Sequence, residues 1–299
     1  MKNLSCRNCG KKKFQDLFSL GKLSFTGKFP KKKKINIPKS EIKLVICVNC
    51  KLVQVSKNFD LKYMYDENYG YRTGINNTMT VHVKQIVDEV SKKKKLLNKK
   101  DFVLDIASND GTLLNFYNKD LIKIGIDPTI IKYRKFYKKI DHRISDFFSK
   151  KKLINIIKNN KIKVISALSV FYDLKNPNKF LKEISEIIHK QKGIFILEHT
   201  DLLSIIKNNL FDTICHEHLA YYSAKVIMKM VNKNNLKVFD ISTNQINGGS
   251  TRFYICHKDS NYTVKNKKIK KLIKNEEKFK LEKIATYKKF FKKILNIRN

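Results

Sequence analysis

The chain has 299 residues, 64 of them Lys or Arg against 26 Asp or Glu, for a formal net charge of +38. Fifty-eight of the 64 cations are Lys and only six are Arg, spread evenly among many Ile and Asn. Recognition of phosphates and base edges favours the bidentate guanidinium, so this reads as a coding bias and disfavours nucleic acid as the partner. With no apolar run of 18 residues and no apolar core in MKNLSCRNCG, neither a membrane span nor an export signal is expected, and a cytoplasmic location is.

The first element is a pair of C-x-x-C knuckles, Cys6/Cys9 and Cys47/Cys50, separated by 37 residues. Four soft thiolates at tetrahedral reach predict a closed, structural zinc site with no position left for water. Two disulfides, disfavoured in a reducing compartment, or free thiols are the alternative. The segment between the pairs has no long apolar periodicity, so the metal is expected to supply much of the lobe's folding energy. A tyrosine-rich linker follows with Tyr63, Tyr65, Tyr69 and Tyr71, whose phenols could cover the core or face a polar ligand. Residues 81–97 then predict an amphipathic helix.

Residues 102–106 (FVLDI) predict a buried parallel strand, 108–111 (SNDG) a tight turn, 112 onward a helix, and 122–126 a second strand ending at Asp127. This βαβ unit lacks the G-x-G-x-x-G that seats a pyrophosphate on a helix N-terminus. Asp105 instead suits an amino group, and Asp127, 22 residues on, suits ribose hydroxyls. An ammonium and a ribose without phosphate describe S-adenosylmethionine, contacted by Asp105, Ala107, Ser108, Asn109, Asp110, Gly111 and Asp127. Asp146, after a third strand, is the candidate for the adenine amino group.

Residues 164–168 and 193–198 predict the fourth and fifth strands, which would bring Asp173 and Glu198 to the same sheet mouth. The apolar runs 236–241 and 251–257, joined through NGGS, suit an antiparallel pair at the sheet edge. Between them and the fifth strand lies CHEHLAYYS. Its histidines are two apart, so on a helix they would diverge by about 200°, which rules out the H-E-x-x-H metal geometry. In an extended loop His216, Glu217 and His218, with Tyr222 nearby, could face one cavity as a general acid–base set. A polar cluster that merely packs a loop is the alternative.

The four cysteines, the tyrosine-rich linker, DIASNDGTLL with GIDP, CHEHLAYYS and NGGSTRFYI occur in order across roughly residues 4–257. As a set they resemble the zinc-containing C-methyltransferases that act on nucleotide-linked deoxysugars. The resemblance implies an α/β fold: a Rossmann-like class I methyltransferase domain, seven-stranded with an antiparallel edge, behind a small zinc-binding lobe. It implies methylation at carbon 3 of a 4-keto-6-deoxyhexose through an enolate, with His218 as general base and Glu217 beside it. Tyr65, Tyr69, Tyr71 and Arg252 are then candidates for the nucleotide-sugar.

Three departures stand out. Cys215 replaces a tyrosine before H-E-H, Asp173 stands where one branch has histidine, and Ala107 replaces the first turn glycine. The expected division is a zinc lobe over 1–60, linker and helix over 61–98, the methyltransferase domain over 99–258, and a Lys-rich helical segment over 259–299. Family members continue into a further lobe, so a truncated chain is expected. RNA or protein methylation, or an inactive cofactor-binding relative, remain as alternatives.

Overall fold

Short runs of Ile, Val and Leu, each too brief for a helix, become strands buried on both faces. The computed structural model describes residues 4–26, 36–59, 69–93 and 96–298. The N-terminal lobe is an antiparallel hairpin of β1 (Phe14–Ser24) and β2 (Lys39–Cys47), extended by β3 (Val53–Val55). Next come α1 (Asn77–Asp88), β4 (Phe102–Ile106), α2 (Thr112–Asn115), β5 (Ile122–Ile126), α3 (Ile130–Tyr133), β6 (His142–Ile144) and α4 (Ile154–Ile157). They are followed by β7 (Val164–Leu168), α5 (Pro177–Ile187), β8 (Ile194–Thr200), α6 (Leu202–Asn208), β9 (Ala220–Tyr221) and α7 (Ala224–Lys233). The described chain closes with β10 (Leu236–Asn244), β11 (Ser250–His257), α8 (Asn266–Lys278) and α9 (Ile284–Arg298).

The large sheet has the order β10-β11-β8-β7-β4-β5-β6. The five strands from β8 to β6 are parallel, while β11 runs antiparallel between β8 and β10. This is the class I methyltransferase arrangement, with its antiparallel edge where the two late apolar runs place it. Strand order reverses beside β4, so its carboxyl end and that of β7 open the crevice in which such sheets hold ligands.

Helix α1 begins at Asn77, four residues before the periodicity suggests. Asn76 sets the start by accepting a hydrogen bond from Met79 N at 3.1 Å. The helix ends in a π turn, Glu89–Lys93. No helix among the described residues is long and apolar enough to cross a membrane.

The lobe is more ordered than its irregular sequence implies. Leu17, Phe18, Ile42, Leu44, Ile46, Val53 and Val55 form an apolar core continuous with one face of the large sheet. Its fourth strand comes from far away: β9 pairs antiparallel with β3, Val53 opposite Tyr221 and Gln54 opposite Ala220. The Lys-rich C-terminal segment packs on it too. Phe291 of α9 stacks on Phe18 with centroids 5.0 Å apart, and Phe290 lies 5.9 Å from the same ring.

Candidate functional site

Asp105 sits near the carboxyl end of β4, 5% exposed, its Oδ1 accepting from Ser166 Oγ at 2.6 Å. Burial raises its carboxyl to about 7, against the opposing pull of that hydrogen bond. The following turn places Ala107, Asn109 and Gly111 at φ of 60°, 50° and 75°. At Gly111 a Cβ would also lie 2.6 Å from Ile140 Cδ1, so a side chain there would be strained in backbone and would push Ile140 aside. Ala107 bears the left-handed conformation at a cost of roughly 1–2 kcal/mol.

Four of the five amides from Ala107 to Gly111 are already committed. Ala107 N and Ser108 N donate to Ile126 O, Gly111 N to Ser108 O, and Asn109 N to Asp127 Oδ2 at 3.0 Å. A carboxylate of the protein itself fills the nest that a pyrophosphate would need. The other oxygen of Asp127 accepts from Thr129 N (2.7 Å) and Thr129 Oγ (2.5 Å). Of about four acceptor positions on a carboxylate, one is left on Oδ2. Burial raises the Asp127 carboxyl, and the Thr129 and Asn109 bonds offset this.

The linker is strapped over the turn. Thr73 N donates to Asn109 Oδ1 (2.9 Å), Asn109 Nδ2 to Tyr71 O (3.1 Å), and Gly74 N to Asp110 Oδ2 (3.0 Å). A Cβ on Gly74 would meet that carboxylate at 2.7 Å. Arg72 completes the strap, 3.1 Å from Asp110 and 4.2 Å above the Phe136 ring.

These elements enclose a cavity of about 480 Å³, a volume normal for small-molecule sites. Asp105, Ala107, Ser108, Asn109, Asp127 and Asp146 line one end; Tyr69, Tyr71, Tyr172, Asp173, Cys215, Glu217 and His218 also face it. The described lining holds six carboxylates and no Lys or Arg, in a chain where these make up 64 of 299 residues. Asp146 is exposed and paired with Lys152, which holds its carboxyl below the ordinary value.

His218 donates from Nδ1 to Thr213 O at 2.6 Å, which leaves the lone pair on Nε2. Its ring lies 4.0 Å from that of Tyr172, and burial lowers its pKa, keeping it neutral near pH 7. Burial likewise raises the phenols of Tyr69 and Tyr172, which therefore stay protonated donors.

Several expected site residues lie elsewhere. His216 is 0% exposed and donates from Nε2 to Ser40 O, because bends at 215–217 turn it away from the cavity. Glu217 lines the cavity but accepts from Thr26 Oγ1; the Thr213 carbonyl, not Glu217, orients His218. Tyr222 is 1% exposed, packed on Phe171 at 4.9 Å in the core. Arg252 is a buried counterion, with Nε 2.6 Å from Glu198, which His82 also meets at 2.5 Å. That cluster joins α1 to β8 and β11, so neither Arg252 nor Glu198 reaches the cavity. Asp110 and Gly111 shape the turn without lining it. Tyr63 and Tyr65 lie outside the described residues.

Thr26, Tyr172 and Thr213 are not among the residues the sequence singles out, and Cys215 stands out only as a departure before H-E-H. Tyr172 was discoverable, since it follows β7 at the switch point. Thr26 meets Glu217 across 191 positions and carries no local signal.

The four cysteines converge. All four Sγ atoms lie within 4.8 Å of one another, with Cys6–Cys50 at 3.4 Å and Cys9–Cys47 at 3.6 Å. Tetrahedral zinc–sulfur bonds of about 2.3 Å imply sulfur separations of roughly 3.8 Å, so the set fits zinc. Each knuckle closes on its first cysteine, Gly10 N to Cys6 O and Lys51 N to Cys47 O, with Gly10 and Lys51 left-handed.

Three family models match in succession: "Putative zinc binding domain" over 6–65, "Methyltransferase domain" over 76–241 and "C-methyltransferase C-terminal domain" over 245–299. The chain is 23% identical over 257 residues to C-methyltransferase NovU of Streptomyces niveus, covering 82% of this chain and 59% of that protein. It thus spans a little over half the length of that relative. Similar solved structures include an O-methyltransferase family protein from Burkholderia thailandensis, with TM-score 0.47 and 15% identity over 68% of this chain and 64% of that one. The CurJ carbon methyltransferase gives TM-score 0.48 and 11% identity, over 67% and 61%.

Proposed function

The chain belongs to the methyltransferase domain family that its residues 76–241 match, and from that premise we propose an S-adenosylmethionine-dependent C-methyltransferase. In this reading it methylates a carbon, C3, of a nucleotide-linked 4-keto-deoxysugar. One observation carries it: a neutral histidine with its proton fixed on Nδ1 opens onto the same cavity as Asp105 and Asp127. S-adenosylmethionine, when bound, supplies an electrophilic methyl group. Asp105 would hold its ammonium, the remaining acceptor position of Asp127 would take a ribose hydroxyl, and Asp146 would meet the adenine amino group.

The hydrogen α to the 4-keto group is acidified by enolate formation. His218 Nε2 removes it, and the resulting imidazolium keeps its Nδ1–H bond to Thr213 O. Tyr69 and Tyr172 donate to the enolate oxygen. The protein otherwise aligns the two reactants and excludes water. A wall rich in carboxylates offers nothing to phosphates, so the sugar ring enters and the diphosphate stays outside. The same wall disfavours an RNA strand. Incubation with S-adenosylmethionine and a panel of nucleotide-linked 4-ketosugars, followed by mass spectrometry, should give one product gaining a methylene on carbon. Methylation only on oxygen, or only of RNA, would sink the proposal.

Two binding results should follow. Asp127→Ala loses a hydrogen bond to a charged acceptor and should weaken cofactor affinity by roughly 1.5–3 kcal/mol in calorimetry; unchanged affinity would move the ribose elsewhere. Asp105 must be ionised to hold an ammonium, and burial raises it to about 7. Cofactor affinity should therefore be full above pH 7 and weaken as pH falls below it, by at most about tenfold per unit. A flat profile between pH 5.5 and 8.5 would remove Asp105 from this role.

A further inference from the structure

His216, read from sequence as part of the acid–base set, has its partner in the N-terminal lobe, 176 positions away. Its ring sits between Phe25 and Phe59, both centroids at 4.8 Å and both nearly perpendicular, and Nε2 donates to Ser40 O at 3.1 Å. Ser40 belongs to β2, the strand that ends at Cys47. On the far side of His218, Val55 N donates to Leu219 O at 3.1 Å and β9 pairs with β3, which begins three residues after Cys50. Gln54, opposite Ala220, accepts from Arg7 N within the first knuckle at 3.0 Å and donates to Ser5 O at 3.3 Å. Glu217 accepts from Thr26. Positions 216 and 219 are thus both anchored to the four-cysteine lobe, and His218 is held between the anchors.

The cofactor end rests on a different layer. Leu113, Leu114, Tyr137 and Ile140, which support the Ser108–Gly111 turn, pack with α1 on the opposite face of the sheet. Cys47, Val53, Phe59, Leu219 and Tyr221 belong to the lobe-side core. A disturbance of the lobe therefore reaches the base before it reaches the cofactor turn.

We propose that His216 is a positioning residue that pins the base-bearing segment to the four-cysteine lobe, so that the metal site holds His218 in register without contributing to cofactor binding. This rests on the reading of His218 as the base. A base displaced by about 1 Å is present but ineffective, which is why such a tie matters.

The two histidines carry their protons on opposite nitrogens, Nε2 for His216 and Nδ1 for His218. Nitrogen-15 NMR of histidine-labelled, zinc-loaded protein distinguishes them without any acceptor substrate. In wild type His218 should appear as the neutral Nδ1–H form. In His216→Phe, which keeps a ring and loses the donor, that preference should be lost, with S-adenosylmethionine affinity unchanged. His216→Gln, which restores an N–H toward Ser40 O, should recover it. Chelation of the metal from wild type should reproduce the His216→Phe spectrum, and decides the matter alone if that variant does not fold. The proposal fails if His218 keeps its Nδ1–H form after metal removal, or if cofactor affinity collapses in the same step. Methyl transfer surviving in His218→Ala would instead overturn the base assignment and leave the NMR result standing.

Discussion

Replacing His218 with alanine is expected to lower turnover by about 100- to 10,000-fold, the range a positioned base contributes. Cofactor affinity should stay near wild type, because Asp105, Asp127 and the Ser108–Gly111 turn are untouched. The decisive measurement is a half-reaction: exchange of the acceptor's α-hydrogen with deuterated water, which needs the base and no methyl transfer. It should vanish in His218→Ala. Persistence there would pass the role to Asp173, which also lines the cavity. The pH profile gives a second check. Burial holds the His218 pKa below its ordinary 6.5, so the base is neutral and active above that depressed value. At saturating S-adenosylmethionine, where the Asp105 titration no longer limits the rate, turnover should be lost only as pH falls through a pKa under 6.5. An acid limb centred well above 6.5 would contradict the geometry, since it requires a base whose protonated form is stabilised.

The parts of this site that were legible in the sequence are those set by local pattern. FVLDI and IKIGI are short, apolar and bounded by turn residues, so β4 and β5 could be placed with Asp105 and Asp127 at their ends. The C-x-x-C spacing defined the metal cluster for the same reason: each knuckle is a local object. What sequence could not supply is the outcome of competition among distant partners. Arg252 is a substrate candidate only through its place in the NGGSTRFYI motif, yet its partners Glu198 and His82 lie 54 and 170 positions away. His216 and His218 share a motif, and only the bends at 215–217 send one to the cavity and the other to Phe25 and Phe59. The pairing of β9 with β3 involves two residues on each side. No propensity marks so short a strand, and the rest of the fold selects it. Asp110 sits in a turn that resembles a cofactor loop, but its side chain caps Thr112 and receives Gly74 and Arg72.

The second large effect should come from the metal. Purified protein is expected to carry one zinc per chain, and Cys47→Ala, at a position 0% exposed, should lose it. Structural zinc contributes about 10–16 kcal/mol of apparent binding free energy in isolated zinc fingers, but this lobe is not an isolated finger. Leu17, Phe18, Ile42 and Leu44 form an apolar core of their own, and α9 covers it with Phe290 and Phe291. The hairpin should therefore outlast the metal. The knuckles should not: each is closed by only two backbone bonds at its first cysteine, Gly10 N to Cys6 O with Cys6 N to Lys11 O, and Lys51 N to Cys47 O with Cys47 N to Leu52 O, and Lys51 sits at φ 64°, a conformation costing a non-glycine residue roughly 1–2 kcal/mol. Without four metal–sulfur bonds nothing comparable offsets that strain. Amide exchange should accelerate first across residues 6–11 and 47–55 and in the β9 segment paired with them, while β4, β5, β7 and β8 keep their protection. Wild-type protein without stoichiometric zinc would remove the premise. Exchange in the variant that stays slow at 47–55, or that rises equally in β4, would show that the metal does not hold the knuckles in the way their geometry requires.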